Sequence, residues 1–484
     1  MSYKKIGLIG GRGYVGQEII SLLNNHNQLN IVSVYSSSKA GQPVNLDSLG
    51  EMTYQDTTID KIDLGDEDAF ILALPNMESQ QYVDLITNYN SEAIIIDLSS
   101  DHRFDDDWEY RIPELCDPVS SNKISNPGCY ASAMQFMIAP ILNILVGPVN
   151  LFGVSGYSGA GSSPNQRNDR ELLNDNILPY SLVNHLHEYV GQEIISLLNN
   201  HNQLNIVSVY SSSKAGQPVN LDSLGEMTYQ DTTIDKIDLG DEDAFILALP
   251  NMESQQYVDL ITNYNSEAII IDLSSDHRFD DDWEYRIPEL CDPVSSNKIS
   301  NPGCYASAMQ FMIAPILNIL VGPVNLFGVS GYSGAGSSPN QRNDRELLND
   351  NILPYSLVNH LHEREVQTHS YPNILFTPHV GDFFRGIMMT GNFFLSKQSD
   401  PKEILNLFID FYRGMNLISI QESPPNLQKV QNTSNVIIGG FEMDQPTNRL
   451  TFCCALDNLL KGAATQAVQN LNSAFGWDDN AGII

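Results

Sequence analysis

Apolar and polar positions alternate along the first third of this chain in a regular way. Residues 5–10, Lys5-Ile6-Gly7-Leu8-Ile9-Gly10, read as a short buried strand. Immediately after it, apolar side chains recur at Val15, Ile19, Ile20, Leu22 and Leu23, which is the spacing of one face of a helix over 14–23. Further strands are predicted at Ile31–Tyr35, Ala69–Leu74 and Ala93–Asp97, with a helical stretch near Glu78 to Asn88. Strands alternating with helices predict an α/β fold with a Rossmann-like, doubly wound parallel sheet. A longer apolar stretch follows Tyr130 and runs to Leu145. No run reaches the roughly 18 apolar residues that a membrane span needs, so no membrane partner is expected.

The same pattern then returns. Residues Tyr14 to Glu188 recur letter for letter as Tyr189 to Glu363, at a constant offset of 175. Such a unit is far longer than a solenoid repeat. Removing one copy leaves 309 residues, a sensible two-domain enzyme. Neither copy is complete. Copy one is preceded by the strand and glycine turn of residues 5–13, whereas copy two follows Ser181-Leu182-Val183-Asn184-His185-Leu186-His187-Glu188. Only copy two runs on into Arg364 and the unique tail.

Charge follows the repeat. Each copy carries 7 Lys/Arg and 24 Asp/Glu, a charge of -17, and the two account for the whole formal charge of -34. That excess argues against a nucleic-acid partner. The six cysteines (116, 129, 291, 304, 453 and 454) have neither metal-ligand nor disulfide-framework spacing, so reduced thiols and no metal are expected. The N-terminus runs within a few residues into the first apolar run, unlike a signal or transit peptide, which points to the cytoplasm.

Between the first strand and helix stands Gly11-Arg12-Gly13-Tyr14-Val15-Gly16, following Gly10. In a strand–turn–helix setting this G-x-G-x-x-G lets backbone approach a pyrophosphate at a helix N-terminus, although a glycine turn without a ligand fits the letters too. The second strand ends in Ser36-Ser37-Ser38-Lys39, where an NAD site would place an acid for the ribose 2′-hydroxyl. Hydroxyls and a lysine suit a 2′-phosphate, so NADP is the expected cofactor; a solvated loop is the plain alternative. In copy two only Gly191 of this turn survives.

The candidate nucleophile is Cys129, after Asn126-Pro127-Gly128, with Cys304 in the identical setting of copy two. A cysteine at a helix N-terminus has its thiolate stabilised by the helix dipole; a small buried cysteine is the commoner fate. His185 and His187, repeated as His360 and His362, offer acid–base groups. The loop Gly156-Tyr157-Ser158-Gly159-Ala160-Gly161 is rich in amides that suit an oxyanion or phosphate. In the tail, Arg385 offers an anion site or an ordinary structural cation.

Taken together these segments resemble the N-acetyl-gamma-glutamyl-phosphate reductases. The matching stretches are Gly10 to Gly16, Leu74-Pro75, Asp97-Leu98-Ser99 with Asp101 and Arg103, Pro113-Glu114-Leu115, Asn126 to Tyr130, Gly156 to Gly161, Phe376 to His379 and Arg385-Gly386-Ile387. The most specific is Asp457-Asn458-Leu459-Leu460-Lys461-Gly462-Ala463-Ala464-Thr465-Gln466-Ala467-Val468-Gln469-Asn470. The resemblance implies a Rossmann-like domain, a mixed α/β substrate and dimerisation domain, and a final helix returning to the nucleotide domain. It also implies a homo-oligomer and NADPH-dependent reduction of an acyl phosphate, N-acetyl-glutamyl 5-phosphate, to its semialdehyde through a cysteine thioester. A histidine would act as acid–base, Asn458 would lie at the cofactor, and Arg103, Gly159, Ala160, Gly161 and Arg385 at the substrate.

Asn76 stands where the family often has histidine, and His185-Leu186-His187 replaces its more usual His-Arg-His. The expected organisation is a nucleotide domain at 1–126, a partial substrate domain at 127–188, a duplicated nucleotide segment at 189–301, a substrate and dimerisation domain at 302–456, and a returning helix at 457–484. Two assemblies follow: residues 1–188 pair with 364–484 and copy two is extruded, or residues 1–126 serve a substrate domain built from 302–484 around Cys304. The rivals are an aminoadipate-type reductase, an aspartate-semialdehyde dehydrogenase, and a non-catalytic chain disrupted by the duplication. An acidic carrier protein, as the first rival would require, is repelled by units of -17.

Overall fold

The computed structural model describes residues 3–24, 26–44, 52–59, 62–147, 149–156, 186–211, 214–219, 227–237, 239–240, 242–335 and 340–483. The chain divides into two compact units, Met1–Asp175 and Asn176–Ile484.

The first unit holds the intact nucleotide-type sheet. Strands β1 (Lys4–Ile9), β2 (Leu29–Tyr35), β3 (Ala69–Leu72), β4 (Ile94–Asp97), β5 (Glu109–Tyr110) and β6 (Lys123–Ser125) lie in the order β2-β1-β3-β4-β6-β5, all parallel. Helices α1 (Tyr14–Asn24) and α2 (Gln80–Tyr89) supply the crossovers. Leu8, Ile20, Ile31 and Val34 pack in one cluster; Ile9, Phe70, Leu72, Val83, Ile86 and Ile95 pack in another. Helix α3 (Cys129–Ile138) follows the sheet, and none of its residues is buried. Phe136 and Met137 are 45% and 63% exposed.

In the second unit, α4 (Leu186–Asn199) replaces the glycine turn and α1, and among the described residues no strand corresponds to β1. Residues 204–209, identical in sequence to the start of β2, are not a strand, because the neighbour that would hydrogen-bond them is missing. What remains is a parallel four-stranded sheet of β7 (Ala244–Leu247), β8 (Ile269–Asp272), β9 (Glu284–Tyr285) and β10 (Lys298–Ser300), in the order β7-β8-β10-β9, with α5 (Ser254–Tyr264) as crossover.

Helix α6 (Cys304–Ile313) follows, and every residue from Tyr305 to Ile313 is buried. It is covered by a mixed seven-stranded sheet of β11 (Val324–Gly331), β12 (Ile352–Pro354), β13 (Ile374–Gly381), β14 (Ile387–Phe394), β15 (Ile418–Gln421), β16 (Val436–Asp444) and β17 (Arg449–Leu456), ordered β12-β13-β11-β14-β17-β16-β15. Helices α7 (Leu361–His369) and α8 (Pro401–Phe411) complete this half; α8 begins with a capping box at Asp400 and Glu403. Strand β11, from copy two, lies between β13 and β14 of the tail. Copy two is therefore not extruded: it is built into the mixed sheet, which corrects the first assembly. Helix α9 (Thr465–Ala474), through Ala467 and Leu471, and the turn before it, through Leu459 and Ala464, then pack in one cluster with Val190 and Ile194 of α4 and Ile271 and Ile299 of the four-stranded sheet.

α3 and α6 share one sequence but only α6 has a sheet to fill, which generates a direct test. Phe311→Ala empties a fully buried site and is expected to cost about 3–5 kcal/mol, whereas Phe136→Ala, its twin, costs under about 1 kcal/mol. Urea denaturation of the two variants reads the difference, and equal losses would contradict the packing.

Candidate active site

The first cluster lies at the glycine turn of the first unit. Gly10 has φ +93°, and a Cβ there would lie 2.1 Å from the Ala73 carbonyl oxygen, so only glycine fits. A Cβ at Gly16 would lie 2.5 Å from the Gly10 oxygen, so this glycine lets α1 pack directly on the turn. The amides of Gly10 and Gly11 both donate to the Tyr35 carbonyl, fixing the turn to the end of β2. Tyr14 and Val15 begin α1 and are exposed. The Arg12 guanidinium donates to Ser38 Oγ at 2.8 Å, which sequence reading had not paired. Arg12 thus meets Ser38 just beyond the end of β2, in the run that also carries Ser36, Ser37 and Lys39.

The second cluster surrounds Cys304, the first residue of α6. Gly303 is the helix N-cap, and a side chain there would strike His362 Nε2 at 2.2 Å and Arg278 Nη1 at 2.8 Å. From the other side, a Cβ at Gly462 would lie 2.7 Å from Cys304 Cβ. Gly462 belongs to a single π-helical turn, Leu460–Ala464, that brings backbone against the thiol-bearing residue. Glu365, fully buried, accepts from Arg278 Nη1 (2.7 Å), the Gly303 amide (3.0 Å) and the Tyr285 hydroxyl (3.2 Å). Its Oε1 lies 3.9 Å from His362 Nε2. Arg278 also donates to the carbonyls of Asn301 and Leu273.

Burial pushes the Cys304 thiol up to about 11, with the Tyr305 amide and Arg278 opposing and Glu365 adding to it. Burial likewise depresses His362 to about 3, helped by the Arg278 charge, and depresses His360 to about 3, helped by His362. The site at neutral pH therefore holds a thiol and neutral imidazoles. His360 Nδ1 accepts from the His362 amide as the N-cap of α7, and His362 Nδ1 is buried with no hydrogen-bond partner among the described residues.

The remaining expected residues fall as follows. Cys129 is exposed at the start of α3. Arg103 makes the contacts of its twin Arg278 to backbone, donating to the Asn126 and Leu98 carbonyls, but meets no carboxylate among the described residues. His185, Gly159, Ala160 and Gly161 lie outside the described residues, and His187 is described only as helical backbone. Arg385 is not free to take an anion as expected: Asp457 holds it in a two-point pair, and Glu193 and Asn432 take its remaining face. Asn458 is 3% exposed and is spent on the Gly386 amide and Ser333 Oγ. Sequence reading missed Arg278 and Glu365, although Glu365 lies three residues after His362 on one helical face. Among the described residues no His/Cys/Asp/Glu group has metal-binding geometry, and no helix is long and apolar enough to cross a membrane.

A parallel nucleotide-type sheet combined with a mixed sheet whose covered helix begins at a thiol defines the class of the semialdehyde dehydrogenases, oxidoreductases of acyl phosphates and aldehydes. The family model "Semialdehyde dehydrogenase, NAD binding domain" matches residues 5–122 and 187–297, and "Semialdehyde dehydrogenase, dimerisation domain" matches 129–221 and 304–458. The chain belongs to the N-acetyl-gamma-glutamyl-phosphate reductase family. It is 44% identical over 296 residues to the N-acetyl-gamma-glutamyl-phosphate reductase of Xanthomonas campestris, covering 60% of this chain and 94% of that protein. It is 40% identical over 312 residues to that of Stenotrophomonas maltophilia, covering 63% and 98%. It is also 40% identical over 302 residues to "Protein arg11, mitochondrial" of Schizosaccharomyces pombe, covering 61% of this chain and 34% of that one. Aspartate semialdehyde dehydrogenase II of Vibrio cholerae, complexed with ASA, shares the fold at TM-score 0.50 and 16% identity, over 60% of this chain and 95% of that one.

The two depressed histidines set a pH dependence. Their unfolded value is 6.5, so between pH 6.5 and about 3 the unfolded chain binds protons that the folded one does not. Stability is thus full above 6.5 and falls as pH drops through this window, by up to about 1.4 kcal/mol per pH unit for each histidine. His360→Asn keeps an N-cap acceptor but cannot titrate. Urea midpoints measured from pH 7.5 to 4 should fall less steeply in this variant; an unchanged slope would sink the assignment.

Proposed function

We propose that the chain catalyses NADPH-dependent reduction of N-acetyl-glutamyl 5-phosphate to N-acetylglutamate 5-semialdehyde, with Cys304 as nucleophile. The observation that carries this reading is the gathering of Arg278, His362 and Gly462 around Cys304 at the start of a fully covered helix. The substrate follows that of the related N-acetyl-gamma-glutamyl-phosphate reductases, and the dimerisation-domain match supports a homo-oligomer.

The thiol attacks the acyl carbon, phosphate departs, and a thioester forms on Cys304. His362 is neutral and can take the thiol proton; after reduction the C–S bond breaks, the semialdehyde leaves, and His362 returns that proton to the Cys304 sulfur. When bound, NADPH supplies the hydride that reduces the thioester. In the first unit a dinucleotide pyrophosphate would be held by the amides of Arg12, Tyr14, Val15 and Gly16 at the start of α1, those of Gly10, Gly11 and Gly13 being spent on backbone carbonyls, and a 2′-phosphate would meet Arg12, Ser36, Ser37, Ser38 and Lys39. Arg278 holds positive charge beside the thiol, where charge develops during attack.

The non-catalytic alternative has one observation in its favour: the intact glycine turn and the completed thiol cluster belong to separate compact units. Turnover decides between them. NADP reduction is measured with N-acetylglutamate semialdehyde and phosphate for wild type, Cys129→Ser and Cys304→Ser. Cys304→Ser should abolish activity and Cys129→Ser should retain it; the reverse pattern reassigns the nucleophile, and an inactive wild type refutes the catalytic reading. Arg12→Ala should raise KM for NADPH about tenfold or more while moving that for NADH little. Equal changes for both cofactors would reject the 2′-phosphate corner.

A further inference from the structure

We propose that Glu365 is the positioning residue that makes Cys304, rather than the sequence-identical Cys129, the working nucleophile. This deepens the function proposed above and rests on its choice of a cysteine nucleophile.

The two copies form a comparison inside one chain. Arg103 and Arg278 are held alike, each donating to the backbone carbonyls of the β-strand end and of the asparagine before the Pro-Gly-Cys turn, at distances agreeing within 0.1 Å (3.2 and 2.9 Å against 3.2 and 2.8 Å). Placement of the arginine is thus local and common to both. What differs is the third contact. In copy two, Arg278 Nη1 meets Glu365, and the same carboxylate accepts the amide of Gly303, the residue directly before the thiol. Tyr285 adds a hydroxyl to it. Glu365 therefore ties together the cation, the N-cap of the cysteine helix and, at 3.9 Å, the imidazole of His362.

Copy one cannot build this clamp in the same way. Glu365 belongs to the tail, which occurs once, and the position three after His187 is Val190. Among the described residues no carboxylate pairs with Arg103, and the three atoms nearest to a Cβ placed at Gly128 all belong to that guanidinium. Cys129 accordingly has the residue types of the site without the contact that orders them.

Around the thiol in copy two stand Arg278, Glu365 and the phenols of Tyr305 and Tyr355, with His362 against the preceding Gly303; Lys461, on the turn carrying Gly462, is spent on Glu289. Glu365 and Arg278 act on the thiol in opposite directions, the acid raising and the arginine lowering its pKa. Removing the acid's charge therefore favours the thiolate while loosening the geometry. A side chain that merely filled space would not separate these two effects.

The test uses full-length chain carrying Cys129→Ser. Glu365→Gln is compared with its parent in two readouts: the pH midpoint of iodoacetamide labelling at position 304, with a Cys304→Ser sample subtracted as background, and steady-state NADP reduction. Peptides around 129 and 304 are identical in sequence, which is why position 129 is removed first. The expected result is a labelling midpoint shifted to lower pH together with a kcat/KM at least tenfold lower. Glu365→Asp, which retains the charge, should leave the labelling midpoint near that of the parent. If Glu365→Gln leaves both readouts unmoved, or changes activity without moving the labelling profile, the proposal is overturned. If the parent is catalytically inactive but the labelling shift appears, the proposed function fails while the clamp stands. Should Glu365→Gln lose its cooperative unfolding transition, Tyr285→Phe removes one donor to the carboxylate and leaves it a stronger base-side charge for the thiol; an unmoved labelling profile there overturns the proposal as well.

Discussion

The structure turns on one constraint: the chain has two identical cysteine helices and, among the described residues, a single sheet that buries one of them. Residues Tyr305 to Ile313 are buried side by side with the strands of the tail, whereas the twin helix Cys129–Ile138 has no buried residue. Burying such apolar side chains contributes about 1.5–3 kcal/mol each, so the choice of which helix is covered decides where most of the core stabilisation goes. It also decides where chemistry is possible, because His362, Glu365 and Gly462 arrive on elements that pack against the covered helix. Packing and site are one event here.

Two identical sequences in different surroundings separate local from tertiary causes. The knot of buried polar groups at the end of the β4 strand forms identically in both copies. Asp97 meets His102 at 2.6 Å and Ser79 at 2.8 Å, and Asp272 meets His277 at 2.6 Å and Ser254 at 2.9 Å. Each histidine stacks on its own tryptophan, Trp108 or Trp283. These contacts span only a few tens of residues and need nothing outside the copy. Residues 29–35 and 204–210 behave oppositely: the first set is a strand because β1 is beside it, the second is not because β1 exists once. β-propensity alone did not make a strand.

This contrast explains what was legible in the sequence. The parallel sheet, its alternation with helices, the glycine turn opening a helix at Tyr14 and the cysteine at a helix start all follow from local pattern, and all four were readable. The destination of the tail was not. Asn458 and Arg385 carried the expectation of ligand contacts, yet their polar atoms are absorbed by Gly386, Ser333, Asp457, Glu193 and Asn432. Letters cannot show that a buried guanidinium is already balanced by two carboxylates. Glu365 was overlooked for a related reason: its role appears only when α7 is laid beside the β8–α5 half of the sheet, where Arg278 waits 87 residues earlier in the chain.

Charge pairs do not by themselves explain why the tail settles on copy two. The buried junction uses Arg278–Glu365, Arg385–Glu193 and Lys461–Glu289, each with one member from the tail. Breaking one such pair strands a buried charge and is costly, so these contacts fix registry more than they add stability. Yet copy one offers the same partners in Arg103, Glu18 and Glu114. Apolar matching is equally blind, since the two helices are identical. What differs is covalent continuity. Helix Leu361–His369 runs unbroken from the last three residues of copy two into the tail, so His362 and Glu365 fall three residues apart on one face. For copy one to compete, 175 residues would have to be looped out from the middle of that helix, interrupting its hydrogen bonds where the Glu363 amide bonds to the His360 carbonyl and Arg364 follows it. Helix propagation across the junction, rather than any difference in surface chemistry, is the physical reason that one of two identical cysteines is enclosed.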